Sequence, residues 1–92
     1  MRDDDFEWDD RKAAVNKRKH GVAFELARLA FADPQATEEP DEFIDEERFK
    51  LIGMAIGKLL LVVYASRQSR HRIISARKAN RDEERRYFGL AT

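Results

Sequence analysis

The sequence predicts one α+β domain over residues 1–92, with two N-terminal helices and one C-terminal helix packed on a mostly antiparallel sheet of about four strands. Three observations predict it. Leu59-Leu60-Leu61-Val62-Val63-Tyr64-Ala65 has no polar alternation, so as a strand it is buried on both faces and forms the centre of a covered sheet. Phe24, Ala27 and Phe31 recur at helical spacing ahead of it, and a charged segment with its own helix-start signal closes the chain. The connections on either side of the central run are too short for crossover helices and fit hairpins.

Phe6-Glu7-Trp8 puts two aromatics at i and i+2, the period of a short edge or second strand. Asp9 or Asp10 then caps a helix over 11–20, which stops at Gly21. Lys17, Arg18, Lys19 and His20 fill its last turn. They either complement the helix dipole or meet phosphate. A second helix runs over 23–32, with Leu26, Leu29 and Ala30 widening its apolar stripe. Asp33-Pro34 ends it, and residues 33–47, with eight acids, no bases and two prolines, read as a solvated loop. Residues 48–54 form the next strand, 55–57 a tight turn, 58–65 the central strand, 66–71 a second turn and 72–76 the last strand of a meander. Asn80 with Glu83 three residues on is a capping box that opens a helix over 81–90.

Composition narrows the function. The chain has no cysteine, which excludes disulfides and thiolate metal sites and suits a cytoplasmic setting. Neither an apolar leader at Met1 nor a run long enough to cross a bilayer appears, so a soluble protein without membrane contact is expected. The net charge is zero, yet residues 1–65 hold 10 Lys/Arg against 15 Asp/Glu, while residues 66–92 hold 8 against 3. A local cationic surface therefore survives a neutral total, unless the two blocks pair with each other.

Two histidines and scattered acids do not build a preorganised metal cage, so no metal and no cofactor are expected. A Gly-rich phosphate loop and a nucleophile elbow are also missing. What remains is a set of arginines at strand ends with Glu84 and Tyr87 on one face of the last helix. That set suits metal-free cleavage of RNA, in which the 2′-OH attacks the adjacent phosphorus, cations hold the developing charge and an acid protonates the leaving 5′ oxygen. Glu84 serves proton transfer, orients Arg77, or makes a surface ion pair; Tyr87 serves proton transfer or the core.

Phe6-Glu7-Trp8-Asp9, Lys12-Ala13 with Asn16, Lys19-His20-Gly21-Val22, Phe24-Glu25, Arg48-Phe49 and Gly53 precede Ile73-Ile74-Ser75-Ala76-Arg77-Lys78-Ala79, Glu84-Arg85 and Tyr87. In that order they resemble the BrnT toxins of bacterial type II toxin–antitoxin modules. The resemblance implies a RelE-like fold, ribonuclease activity that stops translation, and neutralisation by a BrnA-type antitoxin with a ribbon-helix-helix domain, through which alone DNA is bound. It implies catalytic roles for Arg67, Arg77, Glu84 and Tyr87, and RNA contacts from Trp8, Lys19, His20, Arg72, Ser75, Lys78 and Arg85. The alternative is a non-catalytic binding module that acts with its antitoxin in promoter autorepression. Ala23 and Asn80 depart from the hydroxyl residues the family often has there. Both are cap positions, so Ala23 should start its helix less well by roughly 1 kcal/mol whereas Asn80 caps as well as Ser.

Overall fold

The computed structural model describes residues 1–41 and 47–89. The strands are β1 (Phe6–Glu7), β2 (Thr37–Asp41), β3 (Arg48–Ala55), β4 (Lys58–Arg67) and β5 (Arg70–Lys78). The helices are α1 (Asp10–His20), α2 (Phe24–Ala27), which runs on as a 3-10 helix over Arg28–Ala32, and α3 (Arg81–Phe88). All five strands form one sheet in the order β1-β5-β4-β3-β2, antiparallel except where β1 runs parallel to β5. The apolar run is the central strand, as its composition requires.

Both hairpins around β4 close on two residues with positive φ. Ile56 and Gly57 have φ of 43° and 74°, and Gln68 and Ser69 have φ of 50° and 66°. Such turns match the right-handed twist of the flanking strands. One sheet face carries Leu51, Ala55, Leu60, Val62, Tyr64, Ile73 and Ala76 against Val22, Phe24, Ala27 and Ala30. Gly53 lies on this face because a Cβ there would stand 2.7 Å from the Ala30 carbonyl oxygen. Alternation sends Lys50, Ile52, Leu61, Val63 and Arg77 to the other face. There Ile52 and Leu61 are buried, Lys50 and Val63 are half-buried, and α3 packs against β3.

Three expectations are corrected. The sheet has five strands, because β2 forms within the segment expected as a loop and pairs antiparallel with β3. Its Thr-Glu-Glu-Pro-Asp composition hides it, but an edge strand exposes one side to water and so tolerates both acids and a Pro that donates no hydrogen bond. The second helix divides into α2 and a 3-10 turn, and Ala23 starts it with no side-chain cap. Trp8 lies beyond β1 and is 4% exposed, edge-on to Phe24. It is a core residue, not the exposed ring that a stacking contact with RNA was expected to use. Residues 42–46 of the expected loop and Leu90 of the expected last helix lie outside the described residues.

Beyond Arg72 the outer edge of β5 has no strand beside it among the described residues, and α1 takes that place. The buried Asn16 side chain donates to the carbonyls of Ala76 and Val22, both at 2.9 Å, and accepts from the Ala76 N–H at 3.1 Å. One amide thus satisfies both backbone groups of an edge residue and fixes the chain after α1. Asn16→Leu, similar in volume but without polar atoms, strands three buried backbone groups and should cost about 3 kcal/mol of unfolding free energy. A urea titration of the two proteins checks this; an unchanged midpoint would refute the role of the amide.

Candidate nucleic-acid interface

Because Asn16 holds α1 to the edge of β5, the residues one helical turn to either side of it flank that strand. Lys12, Lys19 and His20 meet Ile74 and Ser75 across an open groove of about 310 Å³. The spacing 12, 16, 19, 20 places these four side chains on one helical face. That spacing was the signal for Lys12 and Asn16, which their local chemistry alone does not single out. On the strand side the register slips: Val63 pairs with Ser75 but Tyr64 pairs with Ile73, leaving Ile74 as the extra residue of a bulge. A bulge re-aims its side chains. Ser75 consequently shares with Arg77, two residues on, the face turned away from the helical core.

Arg77 is fixed by Glu83 and not, as one expectation had it, by Glu84. Its Nη1 and Nη2 donate to Oε1 and Oε2 of Glu83 at 2.8 Å each, a bidentate fork with the Glu83 side chain buried and the Arg77 side chain 37% exposed. Glu83 Oε1 also accepts from the Asn80 N–H at 2.8 Å, and Asn80 accepts from the Glu83 N–H at 2.8 Å, so the capping box and the arginine clamp share one carboxylate. Burial raises the Glu83 carboxyl, but the Arg77 guanidinium and the Asn80 N–H outweigh it and hold it below its ordinary 4.5.

The remaining expected residues are dispersed. Arg67 stands six residues along β4 from Leu61, the partner of Arg77, which at ~3.3 Å per residue is about 20 Å. Arg67 and Arg72 share a separate groove with Met1, Arg2, Glu7 and Gln68, in which Arg72 Nη1 donates to Glu7 at 2.7 Å. Glu84 and Lys78 are exposed near Lys58, at the opposite end of β4 from Arg67. Arg85 is half-buried on α3. Tyr87 donates its hydroxyl proton to Asp33 at 2.6 Å, and this bond, with burial, raises its pKa. Asp33 in turn accepts from the N–H groups of Met54 and Gln35, and is held below the ordinary carboxylate value first by the Tyr87 bond. Tyr87 therefore ties α3 to the end of the 3-10 helix. Lys19, His20, Ser75 and Arg77 are the expected residues that the fold gathers; Arg67 lies towards the other end of β4, Glu84 faces a different groove beside Lys78, and Tyr87 is engaged with Asp33.

Among the described residues no three His, Asp or Glu side chains converge as metal ligands, and no helix is long and apolar enough to cross a membrane. The family model described as "Ribonuclease toxin, BrnT, of type II toxin-antitoxin system" matches residues 8–83. No curated protein matches the chain.

Glu83 generates a pH prediction. A carboxyl whose folded pKa is depressed contributes stability above its unfolded value and loses it as pH falls through the folded value. Between about pH 7 and about pH 3 the wild-type urea midpoint should fall, and Glu83→Gln should show a lower midpoint at the upper pH with a shallower fall. Parallel curves for the two proteins would refute the depressed carboxyl.

Proposed function

The chain belongs to the BrnT family of ribonuclease toxins of type II toxin–antitoxin systems, and on that premise we propose that it is a metal-independent endoribonuclease whose substrate lies across α1 and β5. The single observation that carries this reading is the groove in which Lys19 and His20 face Ser75, with Arg77 two residues further along the same strand face. Lys12 and Lys19 hold the backbone phosphates on either side of the scissile bond. Arg77, pre-set by Glu83, presents the N–H groups that Glu83 does not engage to the phosphoryl oxygens as charge builds on them. His20 takes the 2′-OH proton, because imidazole is the side chain suited to moving protons near neutral pH. The freed oxygen attacks the adjacent phosphorus, the bond to the 5′ oxygen breaks, and that oxygen takes a proton from solvent water, leaving a 2′,3′-cyclic phosphate. Arg72, Arg67 and Arg85 extend the contact to phosphates further along the RNA. Cleavage of this kind stops translation in the cytoplasm. The inhibitor is a BrnA-type antitoxin with a ribbon-helix-helix domain, and the RelE-like scaffold is the frame for both activities.

The separation of Arg67 from Arg77 along β4, and the engagement of Tyr87 with Asp33, favour one second reading, a non-catalytic module that binds its antitoxin and joins it in promoter autorepression. One assay separates the two. Purified protein is incubated with end-labelled RNA in excess EDTA, and fragment lengths and 3′ ends are read. The expected outcome is cutting that leaves 2′,3′-cyclic phosphate and falls by at least about 100-fold in His20→Gln and Lys19→Ala. Arg77→Ala abolishes it too, but leaves Glu83 buried and unpaired, so it is read beside Arg77→Met/Glu83→Gln, which removes both charges. Failure to cut free RNA or the RNA of translating ribosomes would overturn the catalytic reading in favour of the second.

A further inference from the structure

The hairpin between β3 and β4 contains a residue that local physics disfavours twice. Ile56 is 78% exposed and adopts φ of 43°. A β-branched side chain at positive φ is strained, and Asn, Asp or Gly fills this turn position far better. An isoleucine there contributes nothing to the core. Its neighbour Gly57 lines a groove of about 370 Å³ with Met54, Leu59 and Phe88, and Phe88 is itself 55% exposed at the end of α3. Lys58 and Lys78 stand on the same groove with no ion pair among the described residues. Glu84 is the one acid on its wall.

We propose that this groove, formed by the β3–β4 turn, the start of β4 and the end of α3, is the docking site for a segment of the antitoxin. The segment carries large apolar side chains, which seat against Ile56, Leu59 and Phe88, flanked by Asp or Glu residues that pair with Lys58 and Lys78. The inference rests on the toxin reading above, which requires a protein partner. Aliphatic and aromatic groups exposed together favour protein over RNA, since a nucleic-acid surface needs phosphate donors more than methyl groups. The net positive wall selects an acidic partner. The site also stands at the far end of β4 from Arg67 and apart from the α1–β5 groove, so the antitoxin anchors here without itself filling the position of the scissile phosphate.

The test uses the toxin co-expressed with the antitoxin of its own module and compares wild type with Ile56→Asn and Phe88→Ser. Asn suits the turn, so Ile56→Asn should raise the thermal midpoint of the isolated toxin while weakening antitoxin binding by at least about 10-fold, with cutting of free RNA unchanged. Phe88→Ser should weaken binding likewise, and both should restore growth arrest at antitoxin levels that silence the wild type. Wild-type affinity in both variants would overturn the docking site. Loss of RNA cleavage with antitoxin binding intact would assign the groove to RNA instead. Dissociation of a toxin dimer by Ile56→Asn, without change in antitoxin affinity, would assign it to a second copy of this chain. If the wild type neither cuts RNA nor arrests growth, the ribonuclease reading fails alone, and the affinity comparison still decides the docking site.

Discussion

The whole arrangement depends on how one sheet edge is closed. β5 carries the site, yet β1 pairs only with His71 and Arg72, and an unpaired strand edge exposes donors and acceptors that must be satisfied or hidden. Asn16 satisfies them with a side chain that mimics a neighbouring strand. Because that amide belongs to a helix, closing the edge also brings a helical face studded with cations against the bulged part of β5. Stability and site geometry thus share an origin: the hydrogen bonds that stabilise the edge also set the width of the groove.

A second economy appears at Arg77. Buried carboxylates are costly unless they are paired and hydrogen-bonded, and Glu83 is both, through the Arg77 fork and the Asn80 cap. The same contacts order the guanidinium and open α3. A bidentate pair fixes the plane of the arginine as well as its position, which is what a phosphoryl group needs of a preorganised partner. Tyr87 and Asp33 hold the other end of α3, and Arg86 reaches Glu39 on β2 at 2.9 Å. The helix is therefore tied to the acidic edge strand at one side and to the basic strand at the other. Some of the acidic block does pair with the basic one, but Lys19, Lys58 and Lys78 make no ion pair among the described residues.

Stability is not maximised everywhere. An isoleucine at positive φ on a hairpin tip and a phenylalanine more than half exposed at a helix end are choices against folding alone. Phe88 shares a groove with Gly57, the neighbour of Ile56, at the end of β4 remote from the Arg67 turn. Departures from local consistency gather at surfaces that do something else.

The central strand, the two flanking hairpins, α1 with its Gly21 stop and a cap at Asp9 or Asp10, and the Asn80–Glu83 start of α3 could be read from the residues themselves. Each is a local matter of period, cap or turn, settled within a few positions of chain. The family resemblance was legible in the same way, since its motifs are short words in fixed order. The edge strand β2 was hidden because water on its outer side relaxes the pattern that marks a strand. Trp8 looked available because an aromatic near a chain end carries no sign of its burial, and burial belongs to the partners, Phe24 above all. Above all, Glu83 and Glu84 are indistinguishable as letters. Which of them meets Arg77 is decided by a rotation of about 100° per residue around α3, and only the packed structure fixes that angle.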